Sequence, residues 1–290
     1  MTALPRFRGV FALILMFPSV PVSAIPGQTS RFIAPETVVV PSGRLRLKGF
    51  LWRSKDTAPA VLFLHGSGGI DPAHTGKLPI AEAAERLGPV FLKHGYTFLY
   101  LFRRGQGLSA DQGPFIQDTL QRERALGGEE SRKRLQIRLL TTDHLNDATA
   151  GVAFLKSLFA SGPHRIAIAG HSFGGQLTLL AAEHDSTLGA AVVFGAAAAS
   201  WDGSPELREL LLAAVRTTTV PLMLIHAAND YSIASGKALA GESARLANPH
   251  ELKIYPPFGQ TPDDGHDFVY TGVSQWEDDA FRFLEKYVRH

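Results

Sequence analysis

The sequence predicts an α/β fold: a mostly parallel central sheet with helices on both faces. Three observations carry that expectation. Short apolar runs alternate with segments of helical spacing along most of the chain, and several of the runs stop at polar, glycine-rich loops. Of the 290 residues, 45% are hydrophobic and 19% charged, enough apolar surface for one domain with a large core. No internal repeat, low-complexity tract or long block of like charge interrupts the alternation, which excludes solenoids and disordered regulators.

The first residues stand apart from this pattern. Residues 1–24, MTALPRFRGVFALILMFPSVPVSA, combine Arg6 and Arg8, an apolar run from Val10 to Phe17 and the small-residue ending Val22-Ser23-Ala24. They read as a secretory signal peptide cleaved after Ala24, so a periplasmic or secreted protein is expected. The apolar run is much shorter than the roughly 20 residues of a membrane span, which ranks an uncleaved anchor second. No stable membrane insertion is expected after cleavage.

Residues 25–290 are read as one domain. In ETVVVPSGRLRLKGFLWRS, two β-like segments flank Pro41-Ser42-Gly43, which predicts an N-terminal hairpin turning there. Strands follow from Ala60 to Leu64 and from Tyr96 to Phe102. PIAEAAERLGPVFLKHG, between them, has helical spacing and ends at Gly95 as a glycine-capped helix does. Next come a helix from Asp143 to Phe159, a strand from Arg165 to Ala169, a helix from Phe173 to Glu183 and a strand from Gly189 to Phe194. The remainder reads as a helix from Pro205 to Val215, a strand from Pro221 to His226, a helix from Ile233 to Leu246, a strand from Glu251 to Tyr255 and a helix from Gln275 to Val288. A charged stretch at about residues 111–142 breaks the rhythm as a helical insertion. It is either a lid or, as its charge favours, a solvated surface helix.

Composition also narrows function. Removing residues 1–24 takes two of the 29 Lys and Arg residues and none of the 27 Asp and Glu, leaving the two signs in balance. That argues against nucleic acid as a partner, because phosphate contacts require concentrated basic charge. With no cysteine, there is no disulfide and no thiolate nucleophile. The 11 histidines are dispersed and form no H-E-x-x-H or H-x-x-E-H pair, and no phosphate-cradling glycine motif occurs. Neither a metal nor a nucleotide cofactor is expected.

The most informative stretch is RIAIAGHSFGGQLTLL, residues 165–180, where an apolar strand ends in Gly170-His171-Ser172-Phe173-Gly174 and a helix follows. Gly-x-Ser-x-Gly in that setting is a nucleophile elbow. The turn is tight enough to hold the serine in a strained conformation with its hydroxyl above the carboxyl end of the sheet. The competing reading is a glycine-rich turn whose serine caps the helix. The helix start also offers free N–H groups to developing negative charge, and Phe173 supplies the first such donor.

With these residues in place the chain resembles the α/β-hydrolase superfamily, and within it the dienelactone hydrolase and prolyl-oligopeptidase-like branch. The resemblance spans nearly all of residues 37–290. It rests on the elbow, on His65-Gly66-Ser67-Gly68-Gly69 after the third strand, and on NDYS and GHDF in the expected order. It implies an oxyanion hole completed by Ser67, with Gly68 next in rank, and a structural His65. It also implies the order Ser, acid, His, which selects Asp230 after PLMLIHAAN and His266 in the loop FGQTPDDGHDFV. Asp263, Asp264 and Asp267 rival Asp230, but adjacency to His266 works against the required side-on geometry. His171 is expected to point away from the serine, His226 to lie in a strand, and His290 to end the chain. Arg103 and Arg104 are candidate ligands for a substrate carboxylate.

The expected function is an exported serine hydrolase acting on a small ester, lactone or thioester through an acyl-enzyme. Alternatives are a serine exopeptidase or oligopeptidase, and a non-catalytic binding protein on the same fold. Many compact dienelactone hydrolases use a cysteine nucleophile, so a chain without cysteine resembles the wider serine branch.

Overall fold

The computed structural model describes residues 1–2, 33–68, 79–158 and 165–288. Met1–Phe32 and Ile33–His290 form separate units, and the fold is that of the second. Residues 3–24 of the expected signal peptide, Gly69, Phe159 and His290 lie outside the described residues.

Eight strands form one sheet. They are β1 (Glu36–Ser42), β2 (Leu45–Trp52), β3 (Ala60–Leu64), β4 (Thr97–Phe102), β5 (Ile166–His171), β6 (Ala190–Phe194), β7 (Leu222–Ala227) and β8 (His250–Tyr255). Their spatial order is β1-β2-β4-β3-β5-β6-β7-β8. β1 and β2 pair antiparallel, as do β2 and β4, and every later pairing is parallel. The hairpin turns one step later than expected, at Gly43-Arg44, with Ser42 facing Leu45. Gly43 has φ +58, which suits the first central position of a two-residue turn. Pro41 stays inside β1 because β1 is an edge strand, where a missing N–H costs the sheet nothing.

The strands read as continuous apolar runs because both faces of the sheet are covered. Leu62, Leu64, Leu99, Leu101, Ile168 and Val193 pack on one side, where α3 (Asp143–Leu158), α4 (Phe173–His184), α5 (Pro205–Thr217) and α6 (Ala234–Arg245) lie. Alternate residues Val61, Phe63, Phe98, Tyr100, Ala169 and Phe194 face α1 (Ile80–Lys93) and α9 (Val273–Val288) on the other.

The insertion is α2 (Ile116–Thr141), kinked at Gly128, whose φ is +76. It is separate from α3 and buries Ile116, Leu120, Leu135 and Leu140. Its charged face carries Arg132–Glu129 and Lys133–Glu130 pairs. A departure lies near the end of the chain. The loop expected to hold His266 contains α7 (Pro262–His266), followed by α8 (Phe268–Thr271). Thr261 and Asp264 form a reciprocal capping box, with Pro262 in the first turn, and this nucleates a helix too short for hydrophobic periodicity to reveal.

Candidate active site

β5 runs two residues further than predicted, through Gly170 and His171, and delivers Ser172 directly into the first turn of α4. Ser172 has φ 56 and ψ −115, the strained conformation expected of an elbow. Its N–H is anchored on the Phe194 carbonyl of β6 at 2.8 Å, and its own carbonyl accepts from Gln176 N–H at 3.1 Å. The turn fits only because Gly174 lets backbones touch: a Cβ there would lie 1.9 Å from the Leu64 carbonyl oxygen. Gly174→Ala must therefore push β3 and α4 apart, and a loss of roughly 2–5 kcal/mol is expected in urea unfolding. Wild-type stability in that variant would contradict the packing described.

The acid and the imidazole meet as the chain order implied. His266 Nδ1–H donates to Asp230 Oδ1 at 2.7 Å, which leaves Nε2 as the basic nitrogen. Tyr231 N–H also donates to Oδ1 at 2.8 Å, and His226 Nδ1 bonds Oδ2 at 3.0 Å. Burial by itself would push the Asp230 carboxyl up, but the hydrogen bonds from His226 and His266 outweigh it and hold the group below its ordinary range. A depressed carboxyl contributes stability in full above its unfolded pKa of about 3.9 and loses it as pH falls through the lower folded value. Acid titration followed by circular dichroism is expected to destabilise wild type more steeply below that point than Asp230→Asn. Parallel curves would contradict the assignment.

None of the three rival acids bonds the His266 ring. Asp264 is occupied by the Gln260 and Thr261 N–H groups and the Thr261 hydroxyl, and Asp263 accepts from the Tyr231 hydroxyl. Asn229 ties the two loops together, donating to the Phe258 and Thr261 carbonyls and accepting from Phe258 N–H, each at 2.8 Å.

Ser172 and His266 line one cavity of about 240 Å³. Its described walls include Gly66, Ser67 and Gly68 from the loop after β3, Gln117 from α2, and Tyr100 and Tyr270. Ser67 and Gly68, the two candidates for the second oxyanion donor, thus both line the cavity that holds Ser172. The Ser67 carbonyl accepts from Gln106 Nε2 at 3.1 Å, and its hydroxyl accepts from Gln117 Nε2 at 3.0 Å. Gln117 places the first turn of α2 at the mouth, so the insertion borders the site as well as facing solvent.

The two arginines do not face the cavity, which overturns the expectation that they bind a substrate carboxylate. Arg104 is committed to structure: its Nε and Nη2 grip Asp147 at 2.9 and 2.8 Å, and Nη1 pairs with Asp143 at 2.9 Å. Asp147 is itself buried and accepts from Ser42 of the hairpin at 2.9 Å. Arg103 is fully buried, with Nη2 donating to the carbonyls of His65 and Gly66.

The sequence matches the dienelactone hydrolase family over residues 47–271. The chain belongs to that family. Its sheet and helices form the α/β-hydrolase fold of several solved structures. The Pyrococcus horikoshii acylaminoacyl peptidase is 18% identical, with a TM-score of 0.61 over 88% of this chain. This chain spans 42% of that longer protein. Est1E of Butyrivibrio proteoclasticus, solved with ferulic acid bound, is 17% identical, with a TM-score of 0.60 over 87% of this chain and 100% of its own. An esterase of Pyrococcus furiosus is 17% identical, with a TM-score of 0.60 over 93% of this chain and 97% of its own. No curated protein matches the chain significantly.

In this dienelactone hydrolase family member, three histidines besides His266 shape the site. His65 is structural, as expected, with Nδ1–H donating to the Gly66 carbonyl at 2.8 Å. His171 takes a part the sequence did not suggest: its ring lies 4.6 Å from that of His266, and its Nε2 bonds the His266 carbonyl at 2.9 Å, so it buttresses the imidazole. His226 supports the far side of Asp230 from within β7. Its position four residues before the acid, at the end of the same strand, was a readable signal. Nothing comparable marked His171, Gln117 or the anchoring role of Arg103. Among the described residues no group of His, Asp and Glu side chains could hold a metal ion, and no helix is long and apolar enough to cross a membrane.

Proposed function

We propose that this hydrolase is a serine esterase cleaving small carboxylic esters, lactones or thioesters through an acyl-enzyme. Ser172 Oγ attacks the carbonyl carbon while His266 Nε2 takes its proton, and Asp230 holds the imidazole in the tautomer that makes Nε2 basic. The oxyanion is received by the Phe173 and Ser67 N–H groups. His266 then protonates the leaving alcohol or thiol, and water releases the acyl group by the same route.

The observation that carries this reading is that His266, bonded through Nδ1 to Asp230 at 2.7 Å, lines the same cavity as the strained Ser172. The volume, about 240 Å³, suits a short acyl group. A panel of p-nitrophenyl acetate, butyrate and decanoate, with the p-nitroanilides of short N-acyl peptides, tests it. The expected result is turnover of the two short esters well ahead of the decanoate and the anilides. Anilide turnover matching the esters would favour a peptidase, and silence toward every compound by folded protein would favour the binding-protein alternative. Export is proposed on residues 1–24 alone, and mass spectrometry of the protein recovered from its producing cell is expected to find Ile25 at the N terminus. An intact Met1 would refute cleavage.

A further inference from the structure

Arg103 lies fully buried just beyond the carboxyl end of β4, with no carboxylate at ion-pair distance among the described residues. Such a burial is unfavourable unless the guanidinium is otherwise hydrogen-bonded. Its contacts reach both halves of the proposed oxyanion hole. Nη2 donates to the carbonyls of His65 and Gly66, each at 2.8 Å, and Nη1 to His144 Nδ1 at 3.0 Å. The guanidinium carbon lies 5.0 Å from the centre of the Phe173 ring. His65 completes the clasp. Its Nδ1–H bonds the same Gly66 oxygen at 2.8 Å, and its Nε2 accepts the Arg103 backbone N–H at 3.2 Å. Burial first, and the charge of Arg103 second, lower the His65 pKa, so the ring is neutral, as one donor and one acceptor nitrogen require.

A trans peptide is planar, with its C=O and N–H on opposite sides. The Gly66 oxygen has both lone pairs engaged, so the plane of the Gly66–Ser67 peptide is fixed and the Ser67 N–H must point away from Arg103. That peptide lies against the nucleophile: a Cβ on Gly66 would come within 3.3 Å of Ser172 Cβ. We propose that Arg103 is a positioning residue of the oxyanion hole, holding the Gly66 carbonyl and packing on Phe173 so that the Ser67 and Phe173 N–H groups converge beside Ser172. The inference rests on the serine-hydrolase reading above.

The test compares wild type, Arg103→Lys and Arg103→Ala for p-nitrophenyl butyrate hydrolysis, beside the thermal transition of each protein. A misaimed donor weakens the transition state and not the bound ester, so Arg103→Ala is expected to lose about 100-fold in kcat with KM little changed. Millimolar guanidinium is expected to restore part of that loss, and urea at the same concentration none. Lysine keeps the charge but not the two-carbonyl fork, and a fall of about tenfold is expected. A folded variant with kcat within about twofold of wild type would overturn the proposal, as would a loss lying wholly in KM. If Arg103→Ala fails to fold, Arg103→Lys decides by the same criterion. Wild type that neither hydrolyses esters nor reacts with a fluorophosphonate would contradict the serine-hydrolase reading instead.

Discussion

Ser172→Ala is expected to lower kcat for p-nitrophenyl butyrate by about 10⁴-fold or more while the protein stays folded. The effect is large because, in the proposed mechanism, the substitution removes the atom that forms the acyl-enzyme, and the imidazole and the oxyanion donors cannot act in concert without it. Residual turnover above the buffer rate is still expected, since an intact oxyanion hole stabilises attack by water. Stability should change little. Alanine has no advantage over serine at φ 56, and no hydrogen bond that anchors the elbow uses the hydroxyl: the anchors are Ser172 N–H on Phe194 and Ser172 C=O on Gln176. Steady-state kinetics beside a thermal melt checks both halves, and a variant with wild-type kcat would remove Ser172 from the mechanism.

Asp230→Asn carries the second large effect, a fall in kcat of up to about 10⁴-fold. Asp230 accepts from His266 and Tyr231 at Oδ1 and from His226 at Oδ2. Asparagine has one acceptor oxygen, so its amide nitrogen must face either His226 or His266. Facing His266, it selects the tautomer in which Nε2 carries the proton and cannot act as base. Facing His226, it leaves His266 in its Nδ1–H tautomer, with Nε2 free, but removes the negative charge that stabilises the imidazolium formed on attack. Nitrogen NMR of the His266 ring distinguishes the two arrangements, and kinetics measures their cost. Activity within about tenfold of wild type would mean that another group orients His266.

Much of this site was legible in the sequence because its parts are local. A parallel strand buried on both faces reads as an unbroken apolar run, so β3, β5, β6 and β7 announced themselves, and Ser67, Ser172 and Asp230 each follow the end of one. Ser172 and the loop after β3 were placed by that rule, and Asp230 by the strand before it together with the chain order that the resemblance implies. His266 was placed by chain order, yet its setting was misread, because α7 is only five residues long and its signal is the Thr261–Asp264 cap, not a periodic face. The turn of the hairpin was misplaced because Pro41 resembled a breaker, and an edge strand tolerates it.

What the sequence withheld is non-local. Arg103 and Arg104 were adjacent cations at a strand end, with nothing to show that one would be locked to Asp147 in α3 and the other folded beneath the loop of His65 and Gly66. Their partners are 37 to 43 residues away in sequence, so only the folded chain reveals that neither arginine faces the cavity. The same holds for His171. A side chain next to the nucleophile on a strand points off the serine's side, but the sequence does not say that the chain after β8 returns there to present the His266 carbonyl.

The proposed chemistry requires Ser172 to be an activated nucleophile. Labelling the folded protein with a fluorophosphonate and locating the adduct by peptide mass spectrometry tests it most directly, because an unactivated serine does not react. A single adduct is expected on the peptide containing Gly170-His171-Ser172-Phe173-Gly174, absent in Ser172→Ala and strongly slowed in Asp230→Asn. A folded wild type that takes no label, or takes it elsewhere, would mean that Ser172 is not the nucleophile.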